Sequence, residues 1–232
     1  MKYYPYFWDG HNKKLDHPIT LAQTALDEYN KGNYKLFKQL ALKLKKIKPL
    51  NSGMFYGLTL SVFTRMRWWK ECYKILDRFE PIEDRGFIHI TNKYFGLEYW
   101  YEEYPEKRNH VLNGHIYTLL GLHNFIKAKK DPVTKFLFNK GLTSLVRNIH
   151  KYDLNLIFFR WSKYDLKGLF YSGVRYHNNV HIPQLMELYK IQPSKKILKY
   201  INKWTDYSRK YYNTAQILDQ ITQPKTKVLV SR

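Results

Sequence analysis

Three stretches of this 232-residue chain carry side chains able to move protons. The first is WYEEYP, Trp100 to Pro105, in which Glu102 and Glu103 stand between Tyr101 and Tyr104. A carboxylate beside tyrosines, close to a basic surface, can serve as general base on a carbon acid. Two glutamates on a surface loop are the plainer reading, and the residues alone favour it. The second is SKYDLKG, Ser162 to Gly168, with Tyr164 and Asp165 at a strand-to-loop junction; a simple turn is the competing reading. The third is RYHNNVHIPQL, Arg175 to Leu185, which clusters Tyr176, His177 and His181 at a helix start. The two histidines have no carboxylate partner nearby in sequence, so neither a metal nor a cofactor is expected. Phosphate-loop, zinc-knuckle and RNP-like spacings do not occur.

The charge narrows the partner. Lysine and arginine number 40 against 19 acidic residues, a net +21. An excess of that size exceeds what solubility needs and implies a polyanion. On charge alone nucleic acid comes first and acidic polysaccharide second. Aromatics, 17% of the chain with 21 Tyr and 6 Trp, stack on bases and on sugar rings alike, so they leave both open. The single cysteine, Cys72, reads as a core residue and excludes an internal disulfide. MKYYPYFWDG does not read as a signal peptide, and no apolar run reaches membrane-spanning length, so a cytoplasmic location is expected.

Helices must position these stretches. Helical spacing predicts pairs whose first members are small and apolar (LAQTAL, FYGLTL, LNGHIYTLLGL, IPQLMEL). The second members are lysine-rich with an apolar stripe (YKLFKQLALKLKK, WKECYKILDRF, FLFNKGLTSLVRN, KKILKYINKW). Such pairs form either a solenoid or a closed α/α toroid. The β-rich inserts at 82–104 and around LNLIFFRWSKYDL favour the toroid, an incomplete α/α barrel of about four helix pairs. The first insert reads as one or two strands turning at Thr91-Asn92-Lys93. Asn109 is the expected N-cap of the helix holding Val111, Leu112, Ile116, Leu119 and Leu120. KGLFYSGVRYHNN reads as a polar loop. The expected organisation is an aromatic arm at 1–17, a helical domain at 18–213 and a polar tail at 214–232.

Several of these blocks, in order, resemble the C-terminal catalytic domain of the D-glucuronyl C-5 epimerases, which act on heparosan and heparan sulfate precursors. WYEEYP followed by VLNGHIYTLLGL is similar to the family's WYEEYP…VLNGF-type block. FRWSKYDLKG is similar to its S-x-YDLR block, and YHNNVHIPQL to its YHxxHIxQL block. HPITLAQTAL and SGMFYGLTLSV are similar to two earlier blocks, so the resemblance covers about Tyr4 to Trp204.

The resemblance implies an isomerase that removes the C-5 proton of a glucuronate unit within a polymer and returns one to the opposite face, giving iduronate. It implies Glu103, Tyr104, Tyr164 and Tyr176 as catalytic residues, with Glu103 and Tyr176 as the opposed pair. Tyr101, Asn113, Lys167, Arg175, His177 and His181 are the implied substrate contacts. A tyrosine acting as base needs nearby lysine or arginine to favour its phenolate. The implied partner is an acidic, heparosan-like polysaccharide rather than nucleic acid, and a homodimer is the expected assembly. Golgi or secretory location enters as the alternative by analogy with animal members.

The chain departs from the family pattern at four places. Lys167 stands where the family has Arg, keeping charge but losing the bidentate grip. YHNNVH has one residue more between its histidines. Phe55-Tyr56 replaces Ala-Gln after Met54. The β-rich domains that precede this domain in animal members are not in this sequence. Together these point to a minimal member, a different uronate polymer or an inactive, polysaccharide-binding relative. A helical-repeat nucleic-acid binder is the reading that charge and aromatics alone would support.

Overall fold

A computed structural model describes residues 17–93, 96–168 and 171–222. The expected aromatic arm, apart from His17, lies outside these residues.

The helices begin where short polar or imino residues can satisfy free N–H groups. Pro18 sits in the first turn of α1 (Pro18–Asn30). Asn33 accepts a bond from the Leu36 N–H at the start of α2 (Tyr34–Lys46). Ser52 does the same for Phe55 in α3 (Gly53–Arg65), and α4 (Trp69–Leu76) follows. Asp131 caps α6 (Pro132–Asn148), which follows α5 (Leu112–Lys129). The C-terminal part holds the short α7 (Val174–Tyr176), then α8 (Ile182–Ile191) and α9 (Lys195–Thr222).

The two sequence classes of helix become two layers. Helices α1, α3, α5 and α8 pack one against the next, and α2, α4, α6 and α9 each cover the helix before them. The α3 residues Gly53 to Thr64 are all buried, as is almost all of α5 from Leu112 to Phe125. A helix apolar all round belongs inside, whereas α2 keeps only Phe37, Leu40, Ala41 and Leu44 inward beneath its lysines. The chain is therefore mainly α, an arc of four helix pairs forming an incomplete α/α barrel, with short β inserts.

The closest crossing is α3 on α5. A Cβ on Gly121 would lie 2.2 Å from the Gly57 carbonyl oxygen, and one on Gly57 would lie 2.5 Å from the Thr118 Cα. Both obstacles are backbone, so neither can step aside. Gly121→Ala is expected to destabilise the fold by about 3 kcal/mol, lowering the melting temperature by roughly 6–12 °C in a calorimetric scan.

Each β insert is an antiparallel hairpin. Strand β1 (Ile88–Lys93) pairs with β2 (Gly96–Tyr101), and β3 (Asp153–Asn155) with β4 (Arg160–Ser162). Thr91 to Lys93, the expected turn, instead lie in β1 opposite Glu98, Leu97 and Gly96, where the ladder continues. Asn109 is not the cap of α5, which begins after Val111; its side chain donates to the Asp165 carboxylate at 2.7 Å. The segment read as a polar loop is helical from Val174. The last helix runs on past Asn213, because Ala215 is buried and Asp219 has partners: its carboxylate accepts from the Tyr171 hydroxyl and the Val174 N–H. Cys72 is fully buried, and burial pushes its thiol up to about 11. Among the described residues no helix is long and apolar enough to cross a membrane.

Candidate functional site

The end of β2 enters the core and stays there. Tyr101 is fully buried, its N–H bonded to His115 Nδ1 and its hydroxyl donated to the Leu137 carbonyl. Glu102 follows with no exposure, and its backbone is held on both sides, by the Phe87 carbonyl and the Gly53 N–H. The two glutamates are thus interior groups rather than a surface pair. Successive side chains in extended chain face opposite ways. Glu102 turns to His110, accepting from its backbone N–H at 3.0 Å, with His110 Nδ1 2.5 Å from Oε1. Glu103 turns the other way, onto α5, where Gly114 makes room: a Cβ there would sit 2.7 Å from Glu103 Oε2.

Burial pushes the Glu103 carboxyl up to about 7, against the lowering influence of the Tyr104 hydroxyl and the charge of Lys107. The electrostatics of Tyr104 are set in part by both Glu103 and Tyr164. Burial and the Glu103 charge hold the phenols of both tyrosines well above their ordinary range. The Tyr164 ring meets Tyr176 edge-on, with centroids 5.2 Å apart. A carboxylate near neutrality thus begins a line of tyrosines running Glu103, Tyr104, Tyr164, Tyr176. The phenolate expectation does not survive at Tyr104 and Tyr164. Lysine is present, with Lys107 Nζ 4.7 Å from the Tyr104 ring centre, but desolvation and the neighbouring carboxylate outweigh it.

Backbone ties gather the three sequence blocks. The Leu112 N–H bonds to the Tyr164 carbonyl and the Leu166 N–H to the Asn109 carbonyl, joining the second block to the entry of α5. Ser162 joins it to the third. Its hydroxyl lies 2.8 Å from His177 Nδ1, 2.9 Å from His181 Nδ1 and 2.6 Å from the Ser172 hydroxyl. A π-helical turn, His177–His181, lies between α7 and α8. A π turn absorbs one inserted residue and leaves the helix on either side in phase.

Two implied substrate contacts have their polar atoms engaged inside the protein. Tyr101 has its hydroxyl spent in the core. His177 is fully buried, stacked on Trp161 at 3.8 Å, with Nε2 3.0 Å from the Trp204 carbonyl. Asn113 and His181 are buried too, but each keeps an unpaired polar atom: Asn113 Oδ1 and His181 Nε2 make no protein hydrogen bond, and neither do Glu103 Oε2 and Gln184 Oε1. Buried polar atoms are normally paired, so such a set belongs to a site more than to a scaffold. Lys167 and Arg175 are exposed, Lys167 bonded to the Lys107 carbonyl. Residues that sequence reasoning missed are Lys107, Gly114, Gln184 and Asp219. Only Lys107 left a signal, as a cation three residues beyond Tyr104.

A family model described as the D-glucuronyl C5-epimerase C-terminus matches residues 27–206. No curated protein matches the chain. The matched span holds all three blocks and every residue of the tyrosine–carboxylate line. With well over half of its length inside that match, the chain belongs to the D-glucuronyl C5-epimerase C-terminal family.

Proposed function

We propose that this protein is a polysaccharide uronate C-5 epimerase, converting D-glucuronate to L-iduronate units in a heparosan-like acidic polymer. The observation that carries the reading is the buried carboxyl of Glu103, raised to about 7 and coupled to Tyr104 and Tyr164, the latter in edge-on contact with Tyr176. A general base is most effective when its pKa lies near the working pH.

The C-5 hydrogen is acidic because the carbanion left behind delocalises into the adjoining carboxylate. Glu103 takes that proton. The electron pair forms an enolate-like intermediate, and Tyr176 delivers a proton to the opposite face of C-5. Glu103 then holds one proton more and Tyr176 one fewer, and exchange with water resets both. Tyr104 and Tyr164 stay neutral and act as hydrogen-bond donors, stabilising charge that develops in the transition state. Lys107, Lys167 and Arg175 supply positive charge for the sugar carboxylate. The polymer itself is drawn by the +21 charge of the chain.

The test is to incubate the protein with unsulfated heparosan in deuterated water and follow the C-5 proton by NMR. Loss of that signal with growth of iduronate resonances is expected. An unsaturated, ultraviolet-absorbing product would instead make it a lyase, which begins with the same abstraction. No exchange with heparosan, its N-sulfated form or other uronate polymers, despite binding, would make it a binding relative and overturn the proposal.

A further inference from the structure

A second cluster of proton- and metal-binding groups lies on the other side of the β2 terminus from Glu103. It consists of His89 on β1, Glu102 just beyond β2 and His110 just before α5. One ligand atom from each, two imidazole nitrogens and a carboxylate oxygen, falls within 4.8 Å of the others. We propose that His89, Glu102 and His110 form a binding site for a divalent first-row transition metal, with zinc as the leading candidate.

The geometry carries this in three ways. First, His89 Nδ1 lies 3.4 Å from Glu102 Oε1. Two ligands at zinc bond lengths of about 2.0–2.2 Å in a tetrahedron stand roughly 3.4 Å apart, so this edge already has the required length. The His110–Glu102 edge, at 2.5 Å, is a direct contact that must lengthen by a little under an ångström. Second, His89 Nδ1 is buried and makes no hydrogen bond, which leaves it available to a cation. Third, the ligands are already oriented. The His110 N–H donates to Glu102 Oε2, the Tyr152 hydroxyl donates to the His110 carbonyl at 2.6 Å, and Trp100 stacks on the His110 ring at 5.2 Å. Such outer contacts fix ligand direction at metal centres.

Two imidazoles and one carboxylate suit zinc, iron, nickel or copper better than calcium or magnesium, which prefer all-oxygen shells. Glu102 is sealed, but the side chains of His89 and His110 are 19% and 24% exposed. The open side faces solvent, so water completes the shell. The site would clamp β1, β2 and the α5 entry, the three segments that hold the loop bearing Glu103, Tyr104 and Lys107.

The experiment is titration of the chelator-treated full chain with Zn²⁺ by calorimetry, with Co²⁺ absorption as the spectroscopic readout. Its outcome does not depend on epimerase activity. One equivalent is expected, with visible cobalt bands. His89→Ala and His89→Gln should weaken binding by more than the roughly 10–100-fold that loss of an outer-shell partner costs, with unchanged circular dichroism. His150→Ala, at an exposed histidine elsewhere, should bind as the parent does. Failure of the parent to take up Zn²⁺ or Co²⁺ stoichiometrically overturns the proposal. So does uptake that survives both His89 variants unchanged.

Discussion

Glu103→Gln is expected to lower epimerisation by about 10²–10⁴-fold while polymer binding is retained, because the change removes the base and keeps its shape. In the parent, kcat/KM should fall below an apparent pKa near 7, since the carboxyl must be ionised to accept the C-5 proton. Stability should move the opposite way. A carboxyl whose pKa is raised from 4.5 to about 7 on folding binds its proton more tightly in the native state. That contribution is fully present below pH 4.5 and is lost as pH rises through 7, so ionised Glu103 weakens the fold at pH 8 by on the order of 3 kcal/mol. The glutamine variant escapes this cost. It should therefore melt higher than the parent at pH 8, with the gap shrinking towards pH 4.5. A variant that is inactive but no more stable at pH 8 would show that Glu103 is not held as a strained base.

Tyr176→Phe is the second large effect, again about 10²–10⁴-fold on turnover. Its neighbour should behave differently. Removing the His177 side chain breaks contacts to Ser162 and Trp204 and a stack on Trp161, so His177→Ala should lose stability first and activity only as a consequence. Turnover measured well below its melting point separates the two roles. If cooled His177→Ala stays dead and Tyr176→Phe stays active, the assignment of the donor is reversed.

The helical architecture was legible because burial demands differ so strongly between layers. LNGHIYTLLGL has no polar face and must go inside, whereas YKLFKQLALKLKK has a lysine face that cannot. Element ends were less legible, for local reasons. Asn109 has the chemistry of a cap but is committed to Asp165, 56 positions away. The first insert carries no Asn-Gly or Asp-Gly pair to mark where its strands reverse. The final helix reaches Thr222 through Asp219, whose partners Tyr171 and Val174 are distant in sequence.

The site was legible as three blocks but not as a set of environments. Burial of Glu103 depends on Gly114, eleven positions on, and the upward shift of Tyr104 and Tyr164 comes first from their own burial and then from the Glu103 charge. Tyr101 and His177 are implied contacts because the blocks around them resemble the family, yet block membership does not reveal that both are fully buried with hydrogen-bonded side chains. A π turn follows Tyr176 at His177–His181, and no residue type announces a π turn.

The two adjacent glutamates make the pairing of β1 with β2 a sorting device. With His89 opposite Trp100 and Ile88 opposite Tyr101, one carboxylate is delivered to the histidines and the next to the tyrosines. Sliding β2 by a single position would send each to the wrong address, since every side chain would change face. The bond from Glu102 to the His110 N–H, and the grip of Gly53 on the Glu102 carbonyl, work against that slip. Residues remote from the tyrosines thus decide which of two chemically identical side chains meets them.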